Sequence, residues 1–265
     1  MAERVDALIV GYGPVGQVMS LLLARRGWQV AVVERWLDAF PMPRAVAFDS
    51  EGARILAAAG IGAALNRIGE PSGEYTWRNA EDQTLLHVNV AERGLCGWPE
   101  SISMHQPSLE AALTAQGAAL ENLVVHRGNE AVAAVERGDG VEVTVRDKSG
   151  GQVVIPARWV IGCDGAKSFV RQAIGASIKD FGFSHDWLIC DVIPHQPQDY
   201  YPNNLQICDP ARPRTEVSAG PGHRRWEFMR IEGEKVADLN TADSAWRLLE
   251  LFGVRPDNAT LERQH

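Results

Sequence analysis

The sequence predicts an α/β protein: a parallel, Rossmann-like domain with a β-meander crossover, joined to a second, mostly β domain. Three observations predict it. Two short apolar runs, Ala7–Val10 and Val30–Val33, flank a glycine-rich turn and one amphipathic segment. Residues 131–163 alternate apolar and polar between glycine turns. Beyond Phe181 the chain becomes short strand-like runs separated by proline- and glycine-rich turns.

The first run stops at Gly11-Tyr12-Gly13-Pro14-Val15-Gly16. Val18, Met19, Leu22 and Leu23 then mark a helix, with Arg25 and Arg26 at its negative end and Gly27 as a left-handed cap. Strand, glycine turn, helix and strand in this order form a right-handed parallel βαβ unit. Gly11 permits the tight turn, Gly13 lets backbone approach a diphosphate, and Gly16 allows close helix–strand packing. The diphosphate would rest on the free N–H groups of the helix N-terminus. Glu34 closes the second strand at the spacing of a carboxylate that binds ribose hydroxyls and repels a 2′-phosphate. FAD or NAD fits this turn better than NADP, and the turn alone does not separate the two.

The rest follows in order. Residues 35–43 read as a loop stiffened by Pro41 and Pro43, and Ser50–Gly60 as an alanine-rich helix. Glu74–Trp77 and Thr84–Val90 form a hairpin; Gln106-Pro107 opens a helix with Leu109, Ala112 and Leu113 inward; Leu123–Val125 is a strand. Val141–Arg146 alternates strictly, and Trp159–Cys163 reads as a buried strand ending on Asp164-Gly165. Strands are expected at Trp187–Val192, Leu205–Cys208, Val217–Ala219 and Trp226–Arg230. The expected division is 1–181 and 182–265, the hairpin near 72–100 belonging with the second part.

Of the 265 residues 45% are hydrophobic, which is ordinary globular composition. With 34 acidic against 26 basic residues the net charge is −8, which disfavours nucleic acid or an anionic membrane as partner. Cys96, Cys163, Cys190 and Cys208 form neither a disulfide framework nor a zinc spacing, no histidines fall at i, i+4, and no metal is expected. Glu3 and Asp6 argue against a signal peptide, so a reducing, cytoplasmic compartment is expected.

Gly162-Cys163-Asp164-Gly165-Ala166-Lys167-Ser168 resembles the Asp-Gly fingerprint of FAD-dependent aromatic hydroxylases, the class A flavoprotein monooxygenases. Together with Gly11–Gly16, Glu34, Arg44 and Gln106 it gives that family's motifs in order. Pro43–Asp49, Leu205–Pro213 and Arg225–Met229 resemble the 3-(3-hydroxyphenyl)propionate hydroxylase branch. The resemblance implies that Gly11, Gly13, Pro14, Val15 and Gly16 hold the FAD diphosphate. Glu34 would bind the adenosine ribose, with Arg35 beside it, and Ala131 would offer backbone to the adenine. Arg44 would touch the diphosphate, and Gln106 the ribityl region. Asp164, with Gly165, would anchor Arg44. Taken alone, Asp164-Gly165 is as well explained by a strand-ending turn with a helix cap, and Arg44 by a surface ion pair.

The implied activity is hydroxylation of a phenolic aromatic acid, with NAD(P)H as transient reductant and no nucleophilic triad. No side chain is assigned a catalytic role. Trp226 and Phe228 are candidates to line an aromatic substrate pocket; the tryptophans otherwise read as packing residues. His185 and His223 read as surface residues. The family's later Gly-Asp motif is not in the sequence, so a C-terminally truncated hydroxylase is expected. The last strand of the substrate sheet would follow His265, FAD would be weakly retained, and a homo-oligomer or a complementing C-terminal chain would complete the sheet. A non-catalytic flavin- or partner-binding remnant is the alternative. A dehydrogenase is disfavoured by the meander; halogenases and isoprenoid reductases stay open.

Overall fold

A computed structural model describes residues 3–265. In chain order its first strands are β1 (Val5–Val10), β2 (Val30–Glu34), β3 (Ala47–Asp49), β4 (Gly69–Pro71), β5 (Glu74–Asn79) and β6 (Thr84–Asn89). They are followed by β7 (Ser101–Met104), β8 (Leu123–Arg127), β9 (Asn129–Arg137), β10 (Gly140–Asp147) and β11 (Gln152–Gly162). The remaining strands are β12 (Trp187–Pro194), β13 (Asn204–Cys208), β14 (Arg214–Ser218), β15 (Arg224–Met229) and β16 (Ala259–Gln264). The α-helices are α1 (Pro14–Ala24), α2 (Ser50–Leu56), α3 (Leu65–Ile68), α4 (Gln106–Ala118), α5 (Phe169–Ala173), α6 (Val236–Leu239) and α7 (Ala242–Leu249). No helix among the described residues is long and apolar enough to cross a membrane.

The chain divides into two compact units. One comprises residues up to Pro41, with 55–63 and 107–180; the other comprises 42–54, 64–106 and 181–265.

The first unit is built on a six-stranded sheet ordered β8-β2-β1-β11-β10-β9. β1 pairs in parallel with β2 and β11, and β2 with β8; β9, β10 and β11 form the antiparallel meander. Leu8, Val10, Ala31 and Val33 meet Val143, Val145 and Ala157 in one core. β1 is also buried through Ala7 and Ile9, as a two-sided parallel strand requires. α1 ends where Gly27 takes φ 85° and the Trp28 N–H reaches back to the Leu23 carbonyl.

β11 corrects an expectation. Trp159 is 54% exposed, and Val153 and Val154 are also exposed. An apolar run is buried only where layers cover both of its faces, which composition cannot show. Trp36 and Trp77 are likewise exposed rather than packed. The helix expected over Ser50–Gly60 is α2 followed by a π-helical turn at Ala57–Ile61, where Gly60 takes φ 105°.

The second unit holds a seven-stranded sheet ordered β16-β12-β15-β14-β13-β5-β6 and a small sheet ordered β3-β7-β4. The β5–β6 hairpin joins the large sheet through a parallel β5–β13 pairing. α7 was not expected. Its Ala245, Leu248 and Leu249, at helical spacing, pack on Leu188, Cys190, Val192, Trp226 and Phe228, and the Thr241 hydroxyl caps its start by accepting from the Ser244 N–H. The segment ending the chain is itself a strand: β16 pairs antiparallel with β12 at the sheet edge. Ala259–Gln264 thus already adds a strand to this sheet before His265.

Candidate functional site

In the first unit β1 runs into a corner made almost wholly of main chain. The Gly11 N–H donates to the Val33 carbonyl at 2.8 Å, and the Cys163 N–H donates to that of Val10 at 2.8 Å. Gly11 takes φ 98°, and a Cβ there would lie 2.5 Å from the Cys163 carbonyl oxygen. A Cβ on Gly16 would collide with the Gly11 carbonyl oxygen. Gly13 differs: it is extended, at φ −74°, and a Cβ on it would meet nothing within 4 Å. Pro14 occupies the first helical position, where its missing N–H costs nothing. The start of α1 has no side-chain cap and no acidic residue in its first turn, so its amide dipoles suit an anion.

Glu34 braces this corner. One of its carboxylate oxygens accepts from the Tyr12 N–H at 2.7 Å and the other from the Trp36 N–H at 2.9 Å. Tyr12 is buried, and the Arg127 guanidinium lies over its ring at 5.0 Å. Arg35 is exposed, its guanidinium 5.4 Å from the Trp36 ring centre, and Ala131 is buried on β9. The Asp164 carboxylate accepts from the Ser168 hydroxyl and the Phe169 N–H, both at 2.6 Å, and from the Val170 N–H at 3.2 Å. It thus satisfies the first two N–H groups of α5, whose cap is the Ser168 hydroxyl accepting from the Arg171 N–H, while Gly165 turns the chain at φ 78°.

In the second unit Gln106 is buried, and its carbonyl oxygen accepts from the main-chain N–H groups of Arg44, at 3.0 Å, and Ala45, at 2.7 Å. Two carbonyls of the same stretch are held from β15 and β16. Arg225 donates to the Arg44 carbonyl at 2.7 Å and to that of Pro43 at 3.0 Å, and Arg263 also donates to Pro43. Asp191 grips the Arg225 guanidinium in a fork at 2.7 and 3.1 Å. Sequence reasoning missed Asp191, Arg225 and Arg263. The available signal was charge inside an apolar strand, as in Cys190-Asp191-Val192.

Trp226 and Phe228 sit at 1% and 0% exposure in the core beneath α7. Alternation puts them on the face opposite Arg225. His223 is half-buried. Its ring stacks on His105 at 4.0 Å and 7°, with its Nδ1 3.5 Å from the Glu262 carboxylate. Burial, then the neighbouring His223, pushes the His105 imidazole below its usual range. Ligand-type atoms of His105, His223 and Glu262 lie within 4.8 Å of one another. In-plane lone pairs of parallel stacked rings run side by side instead of converging, so this packing does not suit one ion.

A family model described as an FAD binding domain matches residues 4–251. The chain belongs to this family. A probable NADH-specific resorcinol 4-hydroxylase of Rhodococcus jostii (strain RHA1) is 34% identical over 263 residues, covering 98% of this chain and 49% of the relative. A 3-(3-hydroxy-phenyl)propionate/3-hydroxycinnamic acid hydroxylase of Escherichia coli O81 (strain ED1a) is 27% identical, covering 99% and 47%. The chain spans about half the length of the curated relatives it matches. Among solved structures, p-nitrophenol 4-monooxygenase PnpA from Pseudomonas putida DLL-E4 superposes with a TM-score of 0.85 at 21% identity, covering all of this chain and 68% of that one. Aklavinone-11 hydroxylase, solved with FAD and aklavinone, gives 0.80 at 23% identity, covering 100% and 54%. The FAD-family resemblance and the mixed α/β fold expected from the sequence are both present.

Proposed function

We propose that this chain is the FAD-holding N-terminal part of a monooxygenase that hydroxylates a phenolic ring, using a nicotinamide as reductant. One observation carries the reading. Gly11 and Gly16 are required by protein contacts, whereas Gly13 is required by none and leaves room at an uncapped helix start. A diphosphate explains that room. Gly11, Gly13, Pro14, Val15 and Gly16 would cradle it, and Glu34 would accept from ribose hydroxyls while still bracing Tyr12. Arg35 would lie alongside, and the Ala131 backbone would meet the adenine. Arg44 would pair with the diphosphate, Gln106 would face the ribityl chain, and Asp164 with Gly165 would shape the same cofactor's site.

Bound FAD would supply electron transfer from the nicotinamide and activation of oxygen. The chain's own part is to bind, orient and exclude water. The two relatives named above act, by their names, on resorcinol and 3-(3-hydroxy-phenyl)propionate, both phenols, which supports a phenolic substrate, and one is named NADH-specific. All four cysteines are unpaired, in keeping with a reducing, cytoplasmic compartment.

The test is the visible spectrum of the FAD-loaded chain. The expected result is weakly retained FAD whose bands are perturbed by resorcinol or 3-(3-hydroxyphenyl)propionate, with NADH oxidised and little hydroxylated product formed. A chain that refuses FAD overturns the reading. Bound FAD that no phenol perturbs and no NADH reduces points instead to a flavin-binding module without turnover.

A further inference from the structure

We propose that Arg225 and Asp191 are positioning residues for Arg44: they fix the main chain from which the cofactor arginine projects. This rests on the reading of Arg44 as a diphosphate ligand.

Pro43, Arg44 and Ala45 lie outside every helix and strand. Their backbone groups therefore have no ladder and must find partners one at a time. They find them in two side chains. Gln106 takes the N–H groups of Arg44 and Ala45, and Arg225 takes the carbonyls of Pro43 and Arg44. Just beyond, the Val46 carbonyl accepts from the Met104 N–H at 2.7 Å. A segment held this fully has little freedom left in φ and ψ, so the exposed Arg44 side chain starts from a fixed root.

The holder is itself fixed by strand register. Asp191 sits directly across from Arg225 on the β12–β15 pair and across from Arg263 on β12–β16. All three side chains are at most 9% exposed. Three charges buried in a row are a poor way to stabilise a sheet, because apolar residues of similar size usually do as well or better. What the row provides is direction: a planar fork whose remaining N–H groups point at two carbonyls. Asp191 does not touch the segment; it orients the guanidinium that does.

The test is FAD titration, by flavin fluorescence, of the full chain and of Arg44→Ala, Arg225→Lys, Asp191→Asn and the doubles with Arg44→Ala. Each is first checked for a cooperative thermal melt. Arg225→Lys keeps the charge against Asp191 and loses the fork, so it serves if Asp191→Asn does not fold. The expected result is that Arg44→Ala and Arg225→Lys each weaken FAD about tenfold, while the double is within about twofold of Arg44→Ala alone. Arg225→Lys should also flatten the salt dependence of FAD binding as Arg44→Ala does, which a loss of general stability would not. Multiplying effects, an unchanged salt slope, or wild-type affinity in Arg225→Lys would overturn the positioning role. Wild-type affinity in Arg44→Ala would instead remove the reading of Arg44, and with it this proposal.

Discussion

The glycine corner of the first unit and the Pro43–Ala45 stretch of the second fix backbone in opposite ways. The corner is made of main chain, from its own turn and from Val33 and Cys163, and its requirement is the lack of side chains at Gly11 and Gly16. The stretch is held by side chains drawn from 62 positions away, at Gln106, and 181 away, at Arg225. A corner of the first kind is broken by adding one carbon. A clamp of the second kind is broken by removing a partner. Each can be attacked in the manner that should leave the other intact.

The largest effect is expected at Asp191→Ala, which leaves Arg225 buried without its counter-charge. The second unit should lose about 3–5 kcal/mol in urea unfolding. Gly16→Ala should cost the first unit about 2–4 kcal/mol, since the new Cβ collides with backbone that has nowhere to move. Circular dichroism with unit-specific probes would separate the two losses; if both variants melted both units together, the contrast would not stand. Asp164→Ala removes three acceptor bonds from the start of α5 and should cost about 1 kcal/mol.

The smallest expected effect concerns pH and belongs to the second unit. His105 and His265 are both held below their ordinary value of 6.5, by burial first. A depressed imidazole favours its neutral form when folded, so its stability is fully present above 6.5 and is lost as pH falls through the folded value. Melting temperature should therefore drop on acidification below that point, and His105→Gln should shallow the slope. A wild-type slope in that variant would remove His105 from the account.

Legibility in the sequence divided along the same line. The βαβ turn, the meander and the β5–β6 hairpin are short-range patterns, and each lies where spacing put it. So does Glu34, although its bond to the Tyr12 N–H, a brace for the corner itself, had no sequence signal. The charge of Asp191 inside an apolar strand was a signal, but its pairing with Arg225 could not be read, because register between distant strands is set only on folding. α7 could have been: Thr241 followed by Ala245, Leu248 and Leu249 is a capped amphipathic helix. Trp226 and Phe228 show a different limit. Alternation says which residues share a face of β15, and it does not say that α7 will cover that face.

The central claim is that Gly13 is a glycine for the sake of a ligand. The most direct measurement is an FAD titration of wild type and Gly13→Ala beside their unfolding curves. The account predicts stability within about 1 kcal/mol of wild type, because a Cβ there meets no protein atom, together with at least about tenfold weaker FAD. Unchanged FAD affinity in a well-folded Gly13→Ala chain would contradict it.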